Sequence, residues 1–497
     1  MRKGKILLDD YFKRNSLVEA DINSFNEFVD WRLQKLVDEL GSPTPAVVPA
    51  ETEEVKIEFG KIRIGKPSVI EADGVRRLIL PSEARLRKLT YAAPLYLEIG
   101  LVIDGIERER REVRIGEAPV MIKSKICPLS KMSREELIDV GEDPYDTGGY
   151  FIINGTERVI IFLEDLAPNT LFVEKSMGAS THSAKIFSER GLYRIPHTVE
   201  IKKDGMILVS FTSLHKVPIF VLMRALGLKS DADIIKAINS DHGEEEIFLN
   251  LYEFLEIKNE NDAKQFIART MGLGSQPDER KIERINYLID SFLFPHIGGS
   301  EKDRIKKAYF LGNMVRKLLL LKHGEIEEDD KDHYMNKRIR LSGDLLEDLY
   351  RKSLKSFVKD MLYVFQRGVR RGKILPISSI ATTRVVTSRI RRSMATGSWS
   401  SGREGISQRL DRENALSSLS HLGRIVSPLP ASQENFKARE LHPTHWGRLC
   451  PVESPEGKNI GLRKNISLIA GNTPEIKEEE LKKNLKVIKE LGLEEIG

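Results

Sequence analysis

A chain of 497 residues, 40% hydrophobic and 31% charged, is too long for one core and predicts roughly three domains. It has no run of about 18 or more apolar residues, so no membrane-spanning helix is expected. Its first residues, MRKGKILLDDYFKRN, are charged and lack the apolar stretch of a secretory signal. With Cys127 and Cys450 alone, a disulfide framework is not expected, and the reading is a reducing, cytoplasmic setting.

The formal charge of +5 is unevenly placed. Between Arg351 and Leu410, fourteen Lys and Arg face only Asp360 and Glu404, a local +12 that leaves −7 for the rest of the chain. A basic block inside a nearly neutral protein predicts a polyanion-facing surface; the plainer alternative is a solvated helix face.

In chain order, the first forty or so residues read as helix, because Leu17, Ile22, Phe25, Phe28, Val29, Leu33, Leu36 and Val37 recur mostly at helical spacing. After a Pro-rich break at 41–46 the period becomes two: Val55, Ile57 and Phe59, then Ile62 and Ile64, alternate with charges as half-buried strands do. Short apolar runs follow at 94–103 and 120–122. In GGYFIINGTERVIIF (148–162), Asn154-Gly155 sits between two apolar runs and predicts a hairpin, both residues tolerating positive φ. Glu157 and Arg158 read as ordinary strand charges.

From about 185 to 331 the texture shifts. Strands at 193–201 and 206–211 lead into helical spacing at 219–226, 234–238, 282–294 and 306–321, closed by the acidic EIEEDDKD (325–332), read as a solvated linker. Residues 341–372 form a long amphipathic helix with Ser342 as N-cap, an apolar stripe of Leu345, Leu349, Phe357, Met361, Leu362 and Phe365, and Gly372 at the C-terminal end. Residues 395–465 are rich in Gly, Ser, Arg and Asn and read as functional loops on a scaffold. A mixed-charge helix is expected over 474–491.

Two motifs carry less than they first suggest. GKIRIGK (60–66) has the glycine and lysine spacing of a phosphate loop, but Pro67 supplies no hydroxyl and no helix follows, so it reads as a hairpin between strands. His442, His445 and Cys450, with Cys127, could ligate zinc, yet the close C-x-x-C pairing of structural sites is missing. No GxSxG, HExxH or spaced-aspartate magnesium motif is present, so metal ligands for any phosphoryl chemistry would come from another chain.

The segment 383–424 does suggest a chemistry. Arg384, Arg389, Arg391 and Arg392 can fork onto phosphates. The following TGSWSSGREGISQRLDRENALSSLSHLGR adds Ser, Gln, Asn and backbone donors, with Gly397, Gly402 and Gly405 allowing close backbone approach. No base-reading motif is visible, so the grip would be sequence-independent.

Here the residues resemble a known family. TGSWSSGREGISQRLDRENALSSLSHLGRIVSPL and ARELHPTHWGRLCPVESPEGKNIGLRKNISL resemble the fork region of the second-largest subunit of multisubunit RNA polymerases. PVMIKSKICPL (119–129), GGYFIINGTERVII (148–161) and DHYMNKRIRLSGDLL (332–346) are similar in the same order, and His445-Trp446-Gly447 favours an archaeal or eukaryotic relative. The resemblance implies an α+β multidomain chain: a mixed protrusion domain (1–185 and 333–395), an inserted helix-rich lobe (186–332), a loop-rich fork (396–472) and a helical tail (473–497). The family's subunit is more than twice as long, so the chain resembles the N-terminal part of a subunit that some archaea split in two; a piece of an undivided subunit is the rival reading.

By the same resemblance, catalytic magnesium belongs to the largest subunit and none to this chain, which walls the cleft. Residues 402–409, with Arg403, Gln408, Arg409, and then Asp411, His421 and Arg424, would border the bubble and the RNA–DNA hybrid, and Glu453 would support the active-centre floor. The implied partners are the chain carrying the rest of the subunit, the largest subunit, the other polymerase subunits, template DNA and the hybrid, and basal transcription factors, with no membrane.

Overall fold

Helical spacing near the N-terminus produces α1 (Glu19–Glu27), a π-helical turn at Phe28–Arg32 and α2 (Leu33–Asp38), in one continuous run. This is a computed structural model, and it describes residues 4–7, 10–11, 16–49, 52–176, 178–191, 193–239, 243–273, 277–399, 402–468, 470–471 and 478–492. The chain divides into two compact units, one made of Met1–Glu164 with Ile339–Gly497 and the other of Asp165–Arg338. Several small sheets and many helices make it an α+β multidomain protein.

In the first unit, β1 (Val55–Ile64), β2 (Ala92–Ile103) and β3 (Ile106–Pro119) form an antiparallel sheet. The alternation predicted for β1 is real, with Val55 and Ile57 buried. GKIRIGK is not a hairpin, however. Its first half lies within β1, whose register slips between Phe59 and Ile62. That slip is a β-bulge, and Gly60 sits in it. The hairpin predicted around Asn154-Gly155 forms as β4 (Phe151–Ile153) and β5 (Thr156–Ile160), with φ of 51° and 74° at the two turn residues. Strand β6 (Phe162–Leu166) follows.

The second unit starts at Asp165, ahead of the change in sequence texture near 185. It holds a five-stranded antiparallel sheet of β7 (Leu171–Lys175), β8 (Ser180–Arg190), β9 (Tyr193–Lys202), β10 (Ile207–Phe211) and β11 (Leu214–Pro218), paired in sequence order. Helices α3 (Ile219–Ala225), α4 (Asp231–Ile238), α5 (Glu244–Glu253), α6 (Glu260–Thr270), α7 (Asp278–Phe292) and α8 (Arg304–His323) share one apolar core with it. The acidic stretch after α8 is not a free linker. Asp329 exchanges two hydrogen bonds with the backbone of Val173, accepting its N–H at 2.7 Å and donating to its carbonyl at 3.0 Å. Lys331 pairs with Glu174, and Asp332 with Lys337 at 3.0 Å. Carboxylates here pin the chain to the end strand of the sheet.

Back in the first unit, α9 (Ser342–Val369) carries the expected stripe, with Leu345, Leu349, Phe357, Met361 and Phe365 buried, though Leu362 is only partly so. Its stripe packs on the N-terminal helices: Phe28 lies 5.0 Å from Tyr350, and Phe25 packs edge-on to Phe151 at 5.6 Å. Gly372 takes the predicted left-handed conformation. Ser342 is not the N-cap. Leu341 holds that position; Asp344 of the first turn accepts from the Leu341 N–H, and two further caps come from elsewhere, Asp21 accepting from Ser342 and Ser24 from Gly343. Distant side chains thus satisfy the orphan N–H groups that a helix start leaves.

Asp21 is buried, and burial pushes its carboxyl from 3.8 up to about 7, although the bonds from Ser342 oppose the rise. A raised carboxyl pKa favours the fold fully at pH below the unfolded value, and that contribution is lost as pH climbs from about 4 through 7. Asp21→Asn keeps an acceptor for Ser342 and removes the titration. The expected result is that the variant loses less stability than the parent between pH 4 and 8, by roughly 2–4 kcal/mol, measured by urea unfolding across that range. Parallel profiles would place the titration elsewhere.

After α9 come α10 (Arg384–Thr396), β12 (Ser407–Arg409), α11 (Ala415–Leu422), β13 (Arg424–Val426) and β14 (Arg463–Asn465). The loop-rich reading of 395–465 therefore gains helix α11 and a short helical turn at Phe436–Arg439. The tail helix expected over 474–491 is seen as α12 (Glu478–Glu490); residues 472–477 lie outside the described ones.

Candidate nucleic-acid interface

Helix α10 buries Val386, Ile390 and Met394, which leaves Arg384, Arg389, Arg391 and Arg392 exposed. Arg389 reaches Ser356 and the Lys352 carbonyl on α9, and Arg391 Nε donates to Asn154 Oδ1 at 2.8 Å. Among the described residues neither carries an ion pair, so their charges are unneutralised, and Arg384 and Arg392 make no side-chain bond there either. Gly397 ends the helix with φ of 77°, and its Cβ would lie 2.5 Å from the Ser407 carbonyl. The glycine is needed for this internal approach rather than for a ligand.

The loop after α10 is fastened at both ends. Trp399 is buried and donates its indole N–H to the Leu345 carbonyl at 2.8 Å. Ser400 and Ser401 of the predicted loop lie outside the described residues. Arg403 is half-buried. Strand β12 then adds antiparallel to β5, setting Gln408 opposite Val159 and Arg409 opposite Arg158. A loop near residue 400 is thus held by a hairpin some 250 positions earlier, as Arg409–Arg158 pairing requires.

Three of the predicted residues meet. The buried His421 accepts the Asp411 N–H at its Nδ1, 3.1 Å, which leaves the proton on Nε2 facing Gln408 Oε1 at 3.3 Å. Burial first, and Arg424 next, push the imidazole down to about 4, so His421 is neutral at neutral pH and acts as a fixed hydrogen-bonding spacer. Asp411 accepts from the Glu413 N–H at 3.0 Å and from the Ser417 hydroxyl at 3.3 Å. It shapes the turn into α11.

Arg424, on β13, is half-buried and has no ion pair among the described residues; burial and Arg463 both push its guanidinium down. Glu453 and Asp411 oppose that shift, so Arg424 is a half-buried cation among charges of both signs. Glu453 is exposed and accepts from Ser420 on α11. Of the other metal candidates, Cys127 lies in the core with its Sγ 3.4 Å from the Tyr91 hydroxyl, and the His442 and His445 rings are 6.1 Å apart. Among the described residues, no three His, Cys, Asp or Glu side chains are grouped to hold a metal ion.

An open cleft of about 670 Å³ is lined by Arg409, Asp411, Arg412, His421, Glu157 and Arg85, among others. Of these, Glu157 reads in the sequence as an ordinary strand charge, and neither Arg412 nor Arg85 is singled out there. Arg412 donates to Glu157 at 2.7 Å and to Asp146 at 2.9 Å, and its guanidinium lies 4.9 Å from the Tyr150 ring centre. Arg85 donates to the other Glu157 oxygen at 2.8 Å, to Glu142 at 2.8 Å and to the Tyr150 hydroxyl at 2.8 Å. Burial tends to raise the Asp146 carboxyl, but the Gly148 N–H, the Tyr150 hydroxyl and Arg412 outweigh it and hold it below the usual range. The network fixes the cleft floor, while Arg409 stays exposed at its wall. A Glu three residues after a predicted Asn-Gly turn gives no hint of a partner at position 412.

The first unit is discontinuous in sequence, with the second unit inserted in its chain, and it carries an arginine-flanked cleft where the loop after α10 meets the β4–β5 hairpin. Residues 16–392 match the RNA polymerase beta subunit family, and residues 408–471 match domain 3 of RNA polymerase Rpb2. The chain is 46% identical over 494 residues to DNA-directed RNA polymerase subunit Rpo2 of Saccharolobus solfataricus, covering 99% of this chain but 43% of that one. It is 45% identical over 497 residues to subunit Rpo2N of Methanocaldococcus jannaschii, covering 98% of each. Rpo2N of Halobacterium salinarum is 41% identical, over 93% of this chain and 90% of its own. The chain belongs to the RNA polymerase beta subunit family. Within it, the chain spans less than half the length of the undivided Rpo2 relatives and nearly all of the Rpo2N ones.

Proposed function

We propose that the chain acts as the N-terminal half of the second-largest subunit of a DNA-directed RNA polymerase. The observation that carries this is the end-to-end likeness to Rpo2N at 45% identity. In this reading residues 1–185 and 333–395 are the protrusion, 186–332 the lobe and 396–472 the fork. The exposed arginines of α10 grip phosphates without reading sequence, and Arg409, Gln408 and Arg424 border the hybrid. Glu453 supports the neighbouring floor through Ser420. By the family resemblance, catalytic magnesium is assigned to the largest subunit and not to this chain. The partners are that subunit, the chain supplying the rest of this one, the remaining subunits, DNA, the hybrid and basal transcription factors, in the cytoplasm.

The test is reconstitution from separate subunits. Omitting this chain should abolish templated RNA synthesis, and the chain alone with magnesium and nucleoside triphosphates should show none. In the assembled enzyme, replacing both Arg391 and Arg392 with Ala should reduce the log–log salt slope of DNA binding by up to about one unit for each phosphate no longer gripped. An enzyme fully active without the chain would overturn the assignment, and an unchanged slope would remove the two arginines from the interface.

A further inference from the structure

Helix α5 of the second unit turns an unusual face to solvent. Ile247, Asn250 and Leu251 are buried, and Asn250 fixes the helix by accepting the Ile207 N–H at 2.8 Å and donating to the Gly205 carbonyl at 2.9 Å. Beyond the helix end, Phe254 packs edge-on to Phe266 of α6 at 5.7 Å. On this rigid support Phe248 is 56% exposed, Tyr252 74%, Leu249 45% and Leu255 48%. Phe248 and Tyr252 lie one turn apart, so they share a face. The exposed Glu244, Glu245, Glu253 and Glu256 flank them, and residues 243–257 contain no Lys or Arg. Glu246 is spent on Lys322 within the unit.

Two large aromatic side chains one turn apart, more than half exposed among the described residues, mark an interaction surface. Aromatic anchors ringed by polar groups are the usual composition of an energetic centre in a protein interface. The carboxylate rim decides the occupant: it repels nucleic acid and anionic lipid headgroups and attracts Lys and Arg. We propose that this face of α5 docks a basic segment of another protein, one that presents apolar side chains to Phe248 and Tyr252 and cations to the glutamates. The proposal rests on the geometry of this unit and stands whether or not the polymerase assignment does.

The experiment uses the full chain in its native complex, with photoreactive benzoylphenylalanine installed at position 252 and, as a control, at the 37%-exposed Ile235 of α4. Irradiated complex is digested and the adducts are sequenced. The expected result is one adduct from position 252, absent from position 235, on a segment of another protein with an excess of Lys and Arg among apolar residues. It should fall at least about tenfold with the double reversal Glu245→Lys, Glu253→Lys, and likewise with Phe248→Ala. All are exposed positions, and an unchanged circular dichroism melt shows that the fold survives. No adduct, an adduct on nucleic acid or on a second copy of this chain, or one indifferent to charge reversal would overturn the proposal.

Discussion

Lys464→Met is expected to destabilise the first unit by about 3–5 kcal/mol. Lys464 and Glu164 form an ion pair at 2.9 Å, with side chains only 8% and 3% exposed. The pair bridges β14 and β6, which flank β13 in one sheet, where Ile425 pairs with Phe162 and with Lys464. Removing the ammonium takes from a buried carboxylate the cation it is paired with, and breaking one side of a buried pair costs more than the intact pair contributes. The double variant Glu164→Gln, Lys464→Met should therefore recover most of the loss. Urea unfolding of the three proteins checks this, and hydrogen exchange should show residues 424–426 and 463–465 opening first in the single variant. Equal stability of the single and double variants would contradict this account of the pair.

The second large effect lies in the other unit. Gly312, in the middle of α8, comes so close to the end of α4 that a Cβ would sit 2.2 Å from the Ala237 carbonyl oxygen and 2.6 Å from its carbon. The obstacle is backbone, so no side chain can swing aside and the two helices must part. Leu311 and Val315 on one helix and Ile234 and Ile238 on the other then lose their packing in the same core. Gly312→Val should cost about 3 kcal/mol or more, with the loss confined to the Asp165–Arg338 unit. Gly471→Ala, where nothing lies within 4 Å, should be close to neutral. Proteolysis with fragment mapping distinguishes a loosened 165–338 unit from general unfolding; comparable cleavage of both variants would contradict the helix-crossing account.

Much of the fold was legible because it rests on local chemistry. The Asn154-Gly155 hairpin, the stripe of α9 and the alternation in β1 each follow from periodicity or a turn residue that acts within a few positions. Where the reading failed, the deciding partner was distant. Ser342 has the right chemistry for an N-cap, but Asp21 and Ser24 are packed over that helix start and take the task, which nothing near position 342 reveals. The acidic stretch at 325–332 reads as solvated until the backbone of Val173 is seen to use Asp329. GKIRIGK reads as a turn because glycine is shared by turns and bulges; the pairing of β1 with β2 on both sides of Gly60 decides which. Asp104-Gly105, with φ of 49° and 77°, was legible by the same rule as Asn154-Gly155 and was missed. Helix α5 was missed for the opposite reason: its exposed Phe248, Leu249 and Tyr252 blur the two-faced pattern that marks a surface helix.

The candidate site follows the same division. Basic residues in 384–424 were legible as a charge excess, yet the sequence did not separate the exposed arginines of α10 from Arg412, which is tied to Glu157 and Asp146. The meeting of Gln408, Asp411 and His421 needed the turn into α11, and Glu157 needed the pairing of β12 with β5. Long-range strand pairing is the one part of such a site that composition does not encode.

The first unit is interrupted by the 174 residues from Asp165 to Arg338. Its core joins Phe25, Phe28 and Phe151 to Leu345, Leu349, Phe357 and Phe365, which are made only after the interruption. During synthesis at roughly 5–20 residues per second, the early half therefore waits about 10–35 seconds with its apolar face uncovered. The inserted unit, continuous in sequence and with its own core, can close as soon as its last helix has emerged. Birth order is thus the reverse of chain order for the two cores, and the residues made first are the last to be sheltered. A cell producing this chain must protect that interval, and slowing translation within 165–338 should raise the fraction lost to aggregation.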